Sequence, residues 1–596
     1  MFNSENRSRN RRAGIIHILG CCGLALSALG FSAVQPAHAA VNLDLSYVNP
    51  QSTQFARFKS VVDNAVAGNP TWGFSATDAA YMYKLTGQLQ YGQLAVQMVD
   101  SQVNAANAAI AAGSVPKIAG DSYLDVGPML SDLALAYDWC STLTTAAQRT
   151  RWATYADQAV TNVWSPSQAK WGSVPAPWSG WSTNDPGDNY YYSFVQATML
   201  WALASNNATW KTYLQNDRLP LLQNYFAALP GGGSLEGTGY GLSHRTMFGD
   251  YQVWRDATGS DIANANSHLT DSIYYWIHAT VPTFDKVAPI GDQARVSMPV
   301  IYDYHRTLML EARRLTSNAA AANAASWWLN HISIQSMTNG FNARFDLLPA
   351  GTSTTPPAAL TYHASGVGQL FSRTSWDTTA MWLSFTAGPY EQSHAHQDQG
   401  AFALYAGDWL TVTENIWSHS GINQGTDTNN VVRFERNGTI VPQKVGTVST
   451  MTVTGTGAAG EVHAMANLTP VYGNSPGVQS WQRNIDFVNH ILTVHDTFAV
   501  DSSTQGIFQL NVPVKPTISG NTATAGHLKI TVLQPANATL SIVNWTGVNV
   551  PSYGADYGSG YRLDVRGGAT GYVVQLSTDL PVLDAPTAEI FASGFD

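Results

Sequence analysis

A short histidine-containing segment holds the strongest candidates for chemistry in this chain of 596 residues. The segment reads SHAHQDQG (393–400) and directly precedes the apolar run AFALY. If it is a strand, His394, His396 and Asp398 lie on one face, because side chains alternate with a period of two. Such a set suits a metal ion or a catalytic acid or base. The alternative is a buried hydrogen-bond network between this strand and its neighbour.

A second candidate is the segment NDPGDNYYY (184–192), which leads into an apolar helical pattern. Asp188 or Asn189 suits the N-cap of that helix, and the tyrosines that follow suit simple packing. An amide next to aromatic rings is also the combination that a sugar-acid site uses. The rings contact the sugar and the amide holds a carboxyl oxygen.

The third candidate is the glycine-rich segment SLEGTGYGLSH (234–244). Glycines on both sides of Tyr240 predict an open loop in which the phenol hydroxyl stands in a cleft. The alternative is a glycine-rich turn that carries a surface aromatic residue.

The elements that carry the second and third segments are predicted to be helices. Between about 50 and 340, apolar residues recur at helical spacing, as Leu130, Leu133, Ala134 and Tyr137 do. Loops rich in Gly, Pro, Asn and Asp separate these patterns. Many amphipathic helices joined in this way predict helices packed in pairs, as a toroid or a solenoid.

The pattern changes near residue 350. The segment GTSTTPPAAL (351–360) has the composition of a linker, and short alternating runs follow it. The runs on either side of Asn489-His490 predict a tight hairpin. We therefore expect a helical domain over 40–350 and an antiparallel β-sandwich with a short C-terminal tail over 351–596.

Composition excludes several classes of protein. The chain is 44% hydrophobic and 12% charged, which argues against disorder. Its formal net charge is -10 and it has no basic clusters, which argues against a nucleic-acid partner. Its 3 cysteines cannot form a disulfide scaffold.

The N-terminus predicts export. Arg7 to Arg12 supply a positive region, an apolar stretch follows, and Ala37-His38-Ala39 is a small-x-small cleavage site. Residues 1–39 are thus predicted to be a signal peptide of a periplasmic or secreted protein. Cleavage before Cys21, as in a lipoprotein, is the alternative. No later segment has the length of a membrane span.

Taken in order, these segments resemble the heparinase II/III-like polysaccharide lyases. The pieces that carry the resemblance are LALAYDW (133–139), GDNYYYSFVQATMLWALA (187–204), EGTGYG (236–241), PIGD (289–292), SGVGQLFSRTSW (365–376), HAHQDQGAFALYAGDWL (394–410), RNIDFVNHILTVHDTF (483–498) and LQPANATL (533–540). The resemblance implies an α+β multidomain architecture, with an N-terminal (α/α) toroid followed by a C-terminal β-sandwich. It also implies an active site in the cleft between them.

The resemblance implies β-elimination on a uronic acid of an anionic polysaccharide. Asn189 would hold the carboxyl group of the sugar, with Asn184 as the alternative. Tyr240 would take the C5 proton, and His394 would be base, acid or orienting group. The residues then expected to contact or support the substrate are Tyr190, Tyr192, His244, Trp181, Glu236 and Arg245, with Arg295 and Arg433 as further candidates for the arginine.

No cofactor is required by this chemistry, although some relatives hold a structural zinc ion. His396 matches one zinc ligand of the relatives, and Glu414 is a substitute for a second. The third position reads Asn429-Asn430 and departs from the pattern, so zinc is a secondary expectation.

Two other functions remain open from the sequence. A toroidal glycoside hydrolase needs two carboxyl groups around the bond, and Asp185, Asp188, Glu236 and Asp250 are available. A non-catalytic polysaccharide-binding envelope protein would bind a glycan and release no product.

Overall fold

The computed structural model describes residues 41–292, 300–413, 424–455, 460–473, 475–545 and 560–581. These residues belong to one compact unit. The predicted signal peptide, the C-terminal tail, Arg295 and Glu414 lie outside the described residues.

The first part of the chain is helical. Its described helices are α1 Thr53–Val66, α2 Ala76–Thr86, α3 Leu89–Ala111, α4 Val126–Trp139, α5 Ala146–Trp164, α6 Asn189–Ala204, α7 Ala208–Tyr213, α8 Leu219–Ala227, α9 Gly237–Tyr240, α10 His244–Thr258, α11 His268–Ala279, α12 Asp303–Leu315 and α13 Ala319–Leu329. Among the described residues, no helix has both the length and the apolar character needed to cross a membrane.

The contact between α4 and α6 fixes the position of the second candidate segment. The Gly127 N–H donates to Ser193 Oγ over 2.8 Å. A Cβ on Gly127 would lie 2.8 Å from the Ser193 carbonyl oxygen, so only glycine lets the two helices approach this closely. Almost all of α6 beyond its first turn is buried. The start of α6 is therefore held by a rigid helix pair.

The second part of the chain is built from antiparallel strands. They are β1 Lys170–Trp171 and β2 Val174–Pro175 in the helical part, then β3 Thr361–Ala364, β4 Gln369–Arg373, β5 Met381–Thr386, β6 Pro389–Tyr390, β7 Phe402–Ala406, β8 Asp408–Thr411, β9 Val432–Arg436, β10 Thr439–Ile440, β11 Thr447–Val448, β12 Thr450–Thr454, β13 Val462–Asn467, β14 Val478–Val488, β15 Ile491–Val500, β16 Thr504–Val512, β17 Thr517–Ser519, β18 Thr522–Ala525, β19 Leu528–Gln534, β20 Thr539–Asn544, β21 Tyr561–Arg566 and β22 Gly571–Thr578.

Three sheets make up most of this part. Their strand orders are β3-β4-β5-β7-β8, β10-β9-β16-β21-β20 and β12-β13-β14-β15-β22-β19-β18-β17. One apolar core fills the helical part and continues onto the first sheet through residues such as Phe371 and Trp382. A second core joins the strands to one another.

Helix α11 attaches the helical part to the first sheet. Trp382 donates its indole N–H to the carbonyl of His278 over 2.9 Å. The buried guanidinium of Arg373 donates to the same carbonyl over 3.2 Å. The Tyr275 hydroxyl donates to Gln369 Oε1 over 2.5 Å. These bonds fix the first sheet against the helices, and the histidine-containing segment lies between two strands of that sheet.

The predicted helix-then-sheet architecture is confirmed. The change of structure falls between Leu347, at the end of the last short helical segment, and Thr361, where β3 begins. The hairpin is also confirmed: Asn489 and His490 join β14 to β15 with φ angles of 52° and 61°, which a type I′ turn requires.

One local prediction is wrong. The segment 393–400 is an irregular loop, because β7 begins only at Phe402. His394, His396 and Asp398 therefore do not share a strand face. The course of the loop decides which partners their side chains contact.

Candidate active site

Tyr240 and His394 are in direct contact at the junction of the helical part and the first sheet. Their rings lie face to face, with centroids 3.5 Å apart and planes 7° from parallel. Both residues are half-buried. The phenol lies at the end of α9, and the imidazole lies in the loop before β7. The fold thus brings together two side chains that are distant in sequence.

Asp292 orients the imidazole. Its Oδ2 lies 2.9 Å from His394 Nδ1, and its Oδ1 lies 2.7 Å from Nε2 of His396. Gln424 donates its amide to both oxygens, over 3.0 and 3.2 Å. Burial raises the pKa of Asp292, but the bonds from His394, His396 and Gln424 outweigh it, so the pKa lies well below its usual range. The carboxylate stays ionised and makes Nδ1 of His394 the protonated nitrogen.

Two glycines allow the loops of this site to touch. A Cβ on Gly237 would lie 2.1 Å from the Ile290 carbonyl oxygen, and one on Gly291 would lie 2.9 Å from the His394 carbonyl oxygen. Both glycines have positive φ angles, 80° and 69°. The Asp292 N–H also donates to that His394 carbonyl over 3.0 Å. The loops before Tyr240, before Asp292 and around His394 therefore form one backbone assembly.

Asn189 enters the site from the start of α6. Asp188 is the N-cap, and its side chain accepts from the Tyr190 N–H over 3.0 Å. Asn189 is the first helical residue and is half-buried, and its Oδ1 is buried without a hydrogen-bond partner. Its amide therefore has hydrogen-bonding capacity that the fold does not use.

The segment 184–192 and the histidine loop are linked directly. Gln392 donates its amide to Asp185 Oδ1 over 3.2 Å. Asp188 is close enough to His394 for the two to interact electrostatically. The three segments singled out in the sequence therefore converge on one place.

Two of the predicted contact residues lie toward solvent. The Tyr190 hydroxyl donates to Asp121 Oδ1 over 3.0 Å, and its ring is half-buried. Trp181 is 47% exposed, which leaves its indole face open to a ligand.

Three other predicted contact residues are buried away from solvent. The exposed fractions of Glu236, His244 and Tyr192 are 0%, 0% and 1%. Burial raises the pKa of Glu236 well above its ordinary value and, with nearby His268, lowers that of His244 well below its own. Side chains in this position cannot touch a polysaccharide directly, so the structure does not support contact roles for them.

Two of the candidate arginines, Arg245 and Arg433, are also not at this site. Arg245 lines a separate cavity inside the helical part, with its guanidinium 4.1 Å from the ring centroid of Tyr304. Arg433 is buried in the sandwich and bonds to Asp564 over 2.9 Å. The side chain of Asn184 accepts a bond from Arg218 over 3.1 Å.

Of the residues expected to hold zinc, Glu414 lies outside the described residues, and the others bond to groups of the protein itself. His396 bonds to Asp292, and Asn430 donates its amide to the carbonyls of Phe402 and Val412 over 2.7 and 2.8 Å. The side chain of Asn429 accepts from Thr413. Within the described ranges no three His, Cys, Asp or Glu side chains are grouped as metal ligands. The side chains of Asn429 and Asn430 therefore link loops and strands to one another.

Sequence reasoning did not select Asp292 and overrated Asp398. Asp398 is not in the group around Asp292, and burial raises its pKa to about 6. The signal that would have found Asp292 is its place at the end of PIGD, a segment already matched to the resembling family. A carboxylate there is a natural partner for a histidine in another matched segment.

The fold was compared with known proteins. No protein-family model matches the sequence, and no curated protein sequence matches it. Three similar solved structures are a heparinase III, the heparan sulfate lyase HepC from Pedobacter heparinus and the chondroitin AC lyase of Streptomyces coelicolor A3.

These structures superpose over most of their length at low sequence identity. The heparinase III is 12% identical, covers 91% of this chain and 88% of its own, and has a TM-score of 0.60. The corresponding values are 13%, 92%, 86% and 0.55 for HepC, and 9%, 89%, 80% and 0.50 for the chondroitin AC lyase. The chain therefore has the heparinase-like fold, an (α/α) toroid followed by a β-sandwich.

Proposed function

We propose that this protein is an exported polysaccharide lyase that cleaves a uronic-acid-containing chain, of glycosaminoglycan or alginate type, by β-elimination. The observation that carries the proposal is the Tyr240–His394 stack, held by Asp292 at the junction of the two parts of the molecule. The likeness of the fold to heparinase III and to chondroitin AC lyase supports it. Export rests on the signal sequence predicted over residues 1–39.

The reaction breaks the bond between C4 of the uronic acid and the glycosidic oxygen O4. A base removes the C5 proton, the electron pair forms the C4=C5 double bond, and O4 leaves with a proton. We assign Tyr240 as the base that takes the C5 proton and then returns a proton to the leaving oxygen. A half-buried phenol with an exposed edge reaches both atoms when the sugar lies across it.

His394 is the second proton-transfer group of the pair. Because the Nδ1–H of His394 donates to Asp292, Nε2 is the nitrogen available for proton exchange with the substrate. The imidazole ring lies face to face with the phenol ring, so the two groups act at the same place on the sugar. Asp292 acts through His394, so it is a positioning residue.

Asn189 is assigned to the carboxyl group of the sugar. Removal of the C5 proton moves negative charge onto that group, and an amide donor placed there stabilises the intermediate as an oxyanion hole does. The half-buried place of Asn189 at the first position of α6, next to the histidine loop, supports this role.

Three of the four carboxyl groups available to a hydrolase are poorly placed for that reaction. Asp188 caps α6 and is 2% exposed, and Glu236 has no exposed surface. Asp250 lines the separate cavity in the helical part. A hydrolase needs two carboxyls on either side of the bond in an open cleft, so elimination is the better reading of this geometry.

The direct test is incubation of the purified protein with heparan sulfate, chondroitin sulfate, hyaluronan and alginate. A lyase produces the ultraviolet absorbance of a new C=C bond together with new chain ends. New reducing ends without that absorbance identify a hydrolase, and binding without products identifies a non-catalytic protein.

Replacement Tyr240→Phe tests the assignment of the base. It removes the hydroxyl and keeps the ring stack, so we expect a rate lower by about 10³-fold with unchanged folding. Tyr274→Phe is the matched control, since Tyr274 lies on α11 and stacks on Tyr362. Near-wild-type elimination by Tyr240→Phe would remove Tyr240 from the mechanism.

A further inference from the structure

A separate cavity lies inside the helical part of the molecule. Its volume is about 240 Å³, and its walls come mainly from α2, α4, α6, α10 and α12. Tyr240, Asn189, Asp292 and His394 do not line it. We call it the toroid cavity. The volume lies below the range of roughly 300–1,000 Å³ that is usual for drug-sized ligands, so an occupant is small.

Part of its polar lining is satisfied by the fold. Arg344 forms an ion pair with Asp78, with 2.9 Å between the charged atoms. Asp132 accepts the N–H of Thr77 over 2.7 Å. These two carboxylates therefore serve the packing of α2 against its neighbours.

Two other carboxyl groups in the lining are not fully satisfied. Asp250 on α10 and Glu311 on α12 are 2% and 3% exposed. Oδ2 of Asp250 and Oε2 of Glu311 are buried without a hydrogen-bond partner. A buried oxygen left unpaired costs on the order of 1–3 kcal/mol, and native proteins rarely leave two in residues that line one cavity.

The backbone leaves room next to these oxygens. A Cβ on Gly249 would lie 3.3 Å from Glu311 Oε1, a tight contact that glycine avoids. Burial raises the pKa of Glu311 to about 8 and that of Asp250 well above its ordinary value. Neutral carboxyl groups both donate and accept hydrogen bonds, which suits the hydroxyl groups of a ligand.

The aromatic rim of the toroid cavity is formed by Phe341, which lines the cavity, and by Trp72, which packs against Phe341 from outside. The centroids of the two rings lie 5.6 Å apart. Trp72 is 70% exposed, the largest value among the exposed large hydrophobic residues of the described chain. An exposed indole next to a polar cavity offers an apolar face to the ring of a sugar.

We propose that the toroid cavity is a second binding site, which takes one small uncharged polyhydroxylated molecule the size of a monosaccharide. Asp250 and Glu311 bind its hydroxyl groups, and the aromatic rim covers its apolar face. With Asp250 and Glu311 uncharged, the carboxylates of Asp78 and Asp132 balance the guanidinium groups of Arg245 and Arg344, so the lining suits a neutral sugar better than an anionic one and differs in ligand class from the proposed lyase site.

Calorimetric titration of the full protein tests this directly. The neutral probes are D-glucose, D-galactose and N-acetyl-D-glucosamine, each up to about 10 mM, and D-glucuronate is the anionic comparison. We expect saturable binding of at least one neutral sugar, with weaker or no binding of glucuronate. Absence of binding by all three neutral sugars, or tighter binding of glucuronate, would overturn the proposal.

Variants locate the binding. Glu311→Leu removes the unpaired oxygen and should weaken binding at least about 10-fold, which corresponds to about 1.4 kcal/mol. Trp72 lies on the surface, so the variant Trp72→Ala should fold normally. We expect it to weaken binding several-fold. Leu89→Ala, a 56% exposed residue at the start of α3, is the matched control and should bind as the wild type does.

Two results separate this site from the proposed lyase site. Tyr240→Phe should bind the neutral sugar with unchanged affinity, whether or not it has lost activity. Unchanged binding in Trp72→Ala, or loss of binding in Tyr240→Phe, would place the sugar elsewhere and contradict the proposal.

Discussion

Two pairs of histidines in this molecule differ in what they contact. His394 and His396 share the ionised carboxylate of Asp292, and the side chain of His394 keeps 18% of its surface exposed. His244 and His268 lie deep in the helical part, 0% and 3% exposed, with their rings 5.3 Å apart.

Aromatic rings surround the second pair. His244 packs edge-on against Tyr192 and Phe226, and neither of its ring nitrogens has a hydrogen-bond partner. His268 makes one bond, from Nε2 to the Gly233 carbonyl oxygen over 2.9 Å. Burial lowers the pKa of His268 to about 4, so this imidazole stays neutral near neutral pH.

The difference teaches that a carboxylate partner and an exposed edge, more than the residue type, decide which histidine is suited to proton transfer. An imidazole bonded to a buried carboxylate has a fixed tautomer and orientation. An imidazole buried among aromatic rings acts as a packing group, and its burial disfavours protonation. The following predictions test this contrast.

The largest difference is expected when one histidine of each pair is replaced. His394→Gln should lower the rate of elimination by about 10³-fold, because it removes a proton-transfer group. His244→Leu should leave the rate within about two-fold, because the side chain has no access to substrate. Initial rates of double-bond formation measure both. A comparable loss in the two variants would break the contrast.

The next effect concerns the two asparagines of the segment 184–192. Asn189→Ala should lower kcat by about 10²-fold, since it removes a donor to the charge that develops on the sugar carboxyl group. Asn184→Ala is the matched control and should change kcat little, because Asn184 bonds to Arg218. If the control loses activity and Asn189→Ala does not, the amide role belongs to Asn184.

A smaller effect is expected at the carboxylate that the active pair shares. Asp292→Asn keeps the shape of the side chain but not its charge, so we expect a loss of about 30-fold, within the usual range for partners that orient a functional histidine. The loss should fall on kcat with little change in KM, because Asp292 acts through His394. A rise in KM with an unchanged kcat would contradict this role.

The last prediction concerns stability in acid and not the rate of elimination. A histidine whose pKa is lowered by folding binds its proton first in the unfolded chain. The contribution of such a histidine to stability is therefore fully present above pH 6.5, and it is lost as the pH decreases toward the folded pKa. For His268, with a pKa of about 4, the loss reaches about 3 kcal/mol.

His244 should contribute a loss of the same sign, which the variant His244→Leu removes. Urea unfolding at pH 7 and pH 4.5 should show a smaller decrease in the free energy of unfolding for the variant than for the wild type. An equal decrease in both proteins would show that His244 is not kept neutral by the fold.

The sequence determined the local features of this protein. The helical period around Leu130 and Leu133, the alternation of Trp481, Arg483 and Ile485 on β14, and the turn at Asn489-His490 all appear in the structure as expected. Periodicity and turn chemistry act over a few residues, so a single sequence contains them. The three candidate segments were found in the same way, as short runs of unusual composition.

Only the tertiary structure decided which of those side chains meet. Asp292 and His394 are 102 residues apart, and their bond depends on glycine contacts among three loops that no local pattern reveals. Burial likewise separated His394 from His244 and removed Glu236 and Tyr192 from contact with substrate. Exposure and long-range pairing follow from the packing of whole helices and sheets, and a residue's identity does not record them.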